Sequence, residues 1–416
     1  MIGRLPRIDL YALILVASIV GFPFLASITG ILGLDSAPYS ITFRGLVLAA
    51  AIVVIVKSFW QSGPLRLNGL FYFFLLFWII YALRITYDTQ YYAYLLSRPA
   101  WIYWAFGIGT CFIPAMALAI AHPTVTADDI FRTMLFVAVI ALVLGSLSAN
   151  TEVTNAVGNT YDTGRFQLES LNAISLGHLA VTVMLLAYWR LRNGSVSLSH
   201  MLQYILLFSL GLLGLALSSS RGPVLALLCA IFFAEMAKRG WLLIAFLVSF
   251  ALLLPLLTID LNHIDIMLGT NTFGRLQALW DGGDTSTSMR LQMLSGAWQQ
   301  FLANPLFGSA LEERTFRIYP HNVFIESLMA TGVVGGAVFS LLIFGGLIFG
   351  FRMAMAQPKL GWIAILYCQY FVASLFSSGL YSANSMWTLL GVIIMHSGYQ
   401  NSKTNSVPNK HRLQAG

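Results

Sequence analysis

Apolar residues in this chain come in long blocks separated by short polar breaks. A helix needs about 20 residues to cross a hydrocarbon core of roughly 30 Å. Blocks of that order fall at 8–33, 41–60, 67–85, 99–121, 130–148, 171–190, 200–218, 222–237, 241–259, 323–351, 361–379 and 384–398. The pattern predicts an all-α polytopic membrane protein of about 12 transmembrane helices. Two longer polar stretches interrupt the series, a loop from Ala149 to Ser170 and a larger one from Asp260 to Pro320. In the larger loop, MRLQMLSGAWQQFLANPLFG sets Leu291, Leu294, Trp298, Phe301 and Leu302 on one stripe before Asn304, Pro305 and Gly308 stop the run. That pattern predicts a short amphipathic helix at the membrane–water interface. The resulting division is 1–259 with spans one to nine, 260–320 as a partly helical periplasmic loop, 321–398 with the last three spans, and 399–416 as a polar cytoplasmic tail.

Composition supports the membrane reading: 58% of the 416 residues are hydrophobic and 9% charged, more apolar surface than a soluble fold of this length buries. The charges also orient it. On the side shared by the termini the predicted topology puts 14 of the 23 Lys and Arg residues with 4 acids, and on the other side 9 basic residues with 12 acids, giving +10 and −3 of the net +7. By the positive-inside rule both termini are cytoplasmic, so the basic balance reports topology and gives no indication of nucleic acid. The first block is longer than the apolar core of a secretory signal, which spans about 7–15 residues, and has no A-x-A site, so it reads as an uncleaved span. Cys111, Cys229 and Cys368 all fall inside predicted spans, where packing is their expected role.

Several places on the outer face carry chemistry. Arg221 lies in SSSRGP, an almost loop-free turn, where Ser220, the guanidinium and the N–H groups of the following helix suit an anion; a snorkelling anchor is the structural alternative. Arg290 opens the interfacial helix, with Ser286, Thr287 and Ser288 as candidate caps and a solvated surface charge as the alternative. Arg165, in YDTGRFQLESLN, has Asp162 and Glu169 as structural partners. In IYPHNVFIESLMATGVVGG, Asn322 is suited to cap the tenth span and His321 stands just outside the helix end. Glu326 is costly in that helix unless paired, with Arg221 or Arg290 as its candidate partner, and Gly332 and Gly336 form a G-x-x-x-G that permits close helix approach. Asp281 and Asp284, in DGGD, read as a turn. No H-E-x-x-H, G-x-S-x-G or P-loop is present, so metal or serine hydrolysis and nucleotide use are not indicated.

Taken in order, SRG at Ser220–Gly222, Arg290 with Trp298 and NPLFG at Asn304–Gly308, and HNVFIESLMATGVVGG resemble the bacterial O-antigen ligase and polymerase superfamily over roughly residues 218–336. LESLNAISLGHLA, with Asn172 and His178 beyond Arg165, is similar to a segment common in these proteins. The resemblance implies a GT-C-type glycosyltransferase of the bacterial inner membrane, working at the periplasmic face. Its expected partners are an undecaprenyl-pyrophosphate-linked glycan donor, a glycan or lipid A core acceptor, and membrane lipid. It implies an inverting transfer without metal or cofactor. Arg221 and Arg290 would hold the pyrophosphate, with Arg275 as a substitute for Arg290, and His321 would deprotonate the acceptor. Asn322, Ser220, Arg165 and Glu326 would contribute to substrate binding. A secondary transporter is the rival from another class, since an even number of spans is also a transporter layout. Against it, KSFWQSGPLRLN lacks the charged signature of the major facilitator group and intramembrane charges are sparse, namely Arg44, Glu235 and Glu326.

Overall fold

Polar residues at the ends of the apolar blocks start the helices. Asp9 accepts from the Ala12 N–H at 2.8 Å, Asn68 from Phe71 at 2.9 Å and Asn172 from Ser175 at 2.9 Å, each satisfying an N–H that the first helical turn leaves free. A computed structural model describes residues 8–61, 68–154, 160–168, 171–194, 197–238 and 285–405. Its helices are α1 (Leu10–Ile31), α2 (Ser36–Gln61), α3 (Gly69–Tyr91), α4 (Ala100–Ile120), α5 (Ala127–Ser148), α6 (Ala173–Asn193), α7 (Leu198–Ser218) and α8 (Arg221–Lys238). Then follow α9 (Thr285–Ala303), α10 (Val323–Ala356), α11 (Gly361–Ser374) and α12 (Asn384–Asn405). Each predicted span other than the ninth coincides with one of these helices, and 241–259 lies outside the described residues. Among the described residues eight helices are long and apolar enough to cross a membrane, so the protein is a helical, multi-pass membrane protein with one small hairpin.

Two features depart from the sequence pattern. The loop 149–170 contains an antiparallel hairpin, β1 (Asn150–Thr154) with β2 (Thr160–Gln167), in which Val153 faces Tyr161. The Thr, Val, Tyr and Phe content of TEVT and TYDTGRFQ favours strand, but runs this short give little periodicity to read. In α9 the expected stripe divides. Met293, Ala297 and Phe301 are buried, whereas Leu291, Trp298 and Leu302 are exposed. The inward face follows the three- and four-residue spacing of a helix from Met293, which puts Leu291 and Trp298 on its flank. The helix also begins at Thr285, so Ser286, Thr287 and Ser288 lie in its first turn and do not precede it.

The turn after α9 docks backbone to backbone on α10. At Gly332 the helix breaks, with φ 63° and ψ −164°. There the Val333 N–H donates to the Pro305 carbonyl at 2.7 Å, and the Ser309 N–H donates to the Met329 carbonyl at 2.8 Å. A Cβ at Gly332 would stand 2.3 Å from the Leu306 carbonyl carbon, and one at Gly308 would stand 2.5 Å from the Met329 oxygen. Gly332 thus serves to admit the NPLFG turn as well as a neighbouring helix, which corrects the reading of G-x-x-x-G as a helix-approach motif alone. From α3, the Arg84 guanidinium donates to the carbonyls of Phe307 at 2.8 Å and Gly308 at 3.1 Å. Asp88 pairs with Arg84 at 3.1 Å and accepts from the Leu311 N–H at 2.7 Å.

Gly332→Ala is expected to lower the melting temperature in detergent by several degrees. At φ 63° and ψ −164° the backbone lies in a region essentially restricted to glycine, at a cost of about 1–3 kcal/mol for other residues, and the Leu306 carbonyl blocks the added methyl. Gly69→Ala, where nothing lies within 4 Å of the new carbon, is the control and should leave stability unchanged. Equal melting temperatures for both variants would refute the docking role.

Candidate functional site

Two helices lose regular α-helical hydrogen bonding beside the same cavity. α1 has a π-helical turn over Ala17–Gly21, and α4 has one over Trp104–Phe112. A wide turn redirects side chains and loosens carbonyls, and such turns concentrate at functional sites. Here the freed Ser18 carbonyl accepts from the Asn384 amide at 3.2 Å and the Ser385 hydroxyl at 3.3 Å. Residues of both π turns, Ser18 and Ile19 of the first and Phe106 and Thr110 of the second, line a cavity of about 340 Å³. His178, Arg290, Tyr319 and His321 line it too.

His321 is held by the chain on either side of it. Its φ of 57° lies in the left-handed region, which histidine enters more readily than most residues, and Asn322 begins α10 immediately after it. As expected from sequence, Asn322 caps that helix, its Oδ1 accepting from the N–H groups of Phe324 at 3.0 Å and Ile325 at 3.1 Å. Its Nδ2 donates to the Leu375 carbonyl at 3.2 Å, which ties the helix start to the end of α11. The Tyr319 ring meets the imidazole edge-on at 4.6 Å, and Tyr381 meets Tyr319 at 5.8 Å. The buried Nδ1 of His321 has no hydrogen-bond partner among the described residues. Burial, then the positive charge of Arg290, push the His321 pKa below the usual 6.5, while a hydrogen bond with the Ser377 backbone pulls it up. The imidazole is therefore neutral at pH 7, with a lone pair to accept a proton.

His178 presents a second unpartnered ring to the cavity. It is 7% exposed, and neither of its nitrogens has a partner among the described residues. Its backbone is fixed, because its carbonyl accepts from the Thr182 hydroxyl at 2.9 Å and from the Gln369 amide at 2.8 Å.

The remaining sequence candidates fall in different places. Arg290 shares the cavity with His321. Arg221, at the first residue of α8, lies outside the cavity lining, on a turn packed against Gly177, the neighbour of His178. A Cβ at Gly177 would lie 2.7 Å from the Ser218 hydroxyl and 2.8 Å from Pro223. Ser220 is buried in that turn and donates to the Ser218 carbonyl at 3.1 Å. Glu326 is fully buried and meets the Tyr81 hydroxyl at 3.5 Å and the Leu380 N–H at 2.9 Å, not Arg221 or Arg290. Its place is to tie α10 to α3 and to the α11–α12 connection. The backbone of Arg165 lies in β2, and Arg275 lies outside the described residues, as do Asp281 and Asp284. Arg44 joins the cavity as a residue the sequence marked only as a charge inside an apolar block.

Residues 206–340 match the family model described as O-antigen ligase. No curated protein matches the chain. The matched region contains the α7–α8 turn with Arg221, α9 with Arg290, the docked NPLFG turn and the start of α10 with His321. Over residues 206–340 the chain is thus similar to the O-antigen ligase family.

Proposed function

We propose that this protein transfers a glycan from undecaprenyl pyrophosphate to a glycan or lipid A core acceptor at the periplasmic face of the bacterial inner membrane. The observation that carries the proposal is the convergence on one cavity of a neutral imidazole whose Nδ1 has no partner among the described residues and an arginine, His321 with Arg290. Attack of an acceptor hydroxyl on the anomeric carbon releases a proton and the lipid pyrophosphate. His321 takes the proton. Arg290, with Arg221 on the neighbouring turn, carries the charge that develops on the leaving pyrophosphate. A guanidinium suits that task because it stays charged and grips two oxygens at once, each charged hydrogen bond contributing about 1.5–3 kcal/mol. Direct displacement inverts the anomeric centre, and arginines that neutralise the leaving group remove the need for a metal. The family supports ligase and polymerase activities on the same chemistry, which differ in the acceptor.

Three measurements test this reading on purified protein with a lipid-linked donor. His321→Ala should lower kcat by about 10²- to 10⁴-fold, the usual worth of a general base, while the protein still folds. Full activity in that variant would remove the base assignment. Transfer should persist in EDTA, and loss restored by a divalent cation would contradict the metal-free mechanism. The acid limb of kcat/KM should lie below pH 6.5, because burial and Arg290 both disfavour the imidazolium. Removing the charge with Arg290→Gln should move that limb to higher pH, and a limb at or above 6.5 in the native protein would contradict the assignment.

A further inference from the structure

Arg44 lies in α2, eight residues along from Ser36, about 12 Å into the helix at 1.5 Å per residue. A charged side chain within a membrane span is rare and is normally retained for a partner or a polar cavity. The described arginines that form ion pairs do so with Asp88, Asp128 and Glu235, and none of these carboxylates faces Arg44. Its guanidinium instead sits between two aromatic rings, Phe22 at 4.6 Å and Phe106 at 4.8 Å, and donates to the Ser40 hydroxyl. Ring stacking engages the faces of a guanidinium and leaves the in-plane N–H groups to bond elsewhere. Among the described residues one donor of five is used, and the side chain borders the cavity that also receives His178 and the unpartnered Ser18 hydroxyl.

The geometry points to a second anion subsite in the cavity, in which Arg44, with His178 as a further hydrogen-bonding group of the same lining, binds the lipid-side phosphoryl group of an isoprenyl diphosphate. This rests on the donor reading above and extends it. Arg290 stands beside His321, where the sugar-side phosphoryl must be for the base to reach the incoming hydroxyl. Arg44 stands on a membrane-spanning helix, among Ile19, Phe22 and Phe106, where an isoprenyl chain would enter. Two cations lining one cavity match a diphosphate better than a monophosphate. The subsite would also hold the lipid diphosphate after transfer.

The test is a binding titration of the full chain in detergent with geranylgeranyl diphosphate, geranylgeranyl monophosphate and phosphatidylglycerol, followed by native mass spectrometry. The native protein should prefer the diphosphate by at least tenfold. Arg44→Gln should lose that preference to within threefold, and Arg44→Lys should retain part of it. A native preference that survives Arg44→Gln would overturn the subsite and leave the donor reading standing. No native preference at all would overturn both. Should Arg44→Gln fail to fold, labelling of native Arg44 by an arginine-selective dicarbonyl decides the matter. The diphosphate should protect Arg44 well below the concentration at which monophosphate or phosphatidylglycerol does, and equal protection by all three would sink the inference.

Discussion

Backbone contact between the NPLFG turn and the break at Gly332 sets where α9 ends relative to the start of α10, and with it the placement of Arg290 beside His321. The contact uses main-chain groups that helix formation leaves unsatisfied. The carbonyls of Pro305 and Met329 find N–H partners across the break, and those of Phe307 and Gly308 are taken by Arg84. Inside an apolar bundle an unmet peptide group costs as much as a lost hydrogen bond, so this accounting holds the turn in one geometry. Arg84 is in turn held by Asp88, whose second oxygen takes the Leu311 N–H, so one ion pair on α3 secures the whole segment between α9 and α10. Glu312 secures the same segment from the other side, accepting from the Ser97 N–H at 2.8 Å and the Tyr103 hydroxyl at 2.6 Å.

Against this well-satisfied surround the cavity stands out. Both nitrogens of His178, Nδ1 of His321 and the Ser18 hydroxyl are buried and unpartnered among the described residues, and all four atoms belong to residues lining the one space. Two π-helical turns border it, and two arginines reach it. Buried polar groups are normally satisfied, so a cluster of unsatisfied ones with positive charge describes the complement of a polar, anionic ligand. The same feature explains why the imidazole of His321 is a base and not a cation at neutral pH, since burial and Arg290 act in the same direction.

Much of the fold was legible because a membrane helix is the simplest pattern a sequence can carry: a block of apolar residues with a capping residue such as Asn68 or Asn172 ahead of it. The place of His321 and the capping role of Asn322 were legible for a similar reason, as polar groups at a helix mouth, whereas Arg290, read as opening its helix, lies in the second turn of α9. What the sequence hid depends on neighbours far along the chain. Nothing local says that Gly332 breaks its helix, because the reason is the approach of Leu306. Glu326 called for a partner, but charge alone suggested an arginine where the fold supplies Tyr81 and a peptide N–H. Arg221 lies outside the cavity lining, on a hairpin that packs on Gly177 through Ser218 and Pro223, a contact far along the chain. Arg44 carried a usable signal, a charge within an apolar block, whose meaning came only from the cavity it borders.

The central claim is that the space between His321, Arg290 and the two π turns is a diphosphate site. A cryo-electron microscopy map of the protein with a bound isoprenyl diphosphate tests it most directly. The account predicts diphosphate density within hydrogen-bonding distance of the Arg290 guanidinium and close to His321, with the lipid tail running between α1, α2 and α4. Density for the headgroup elsewhere on the bundle, with this cavity holding only solvent, would contradict it.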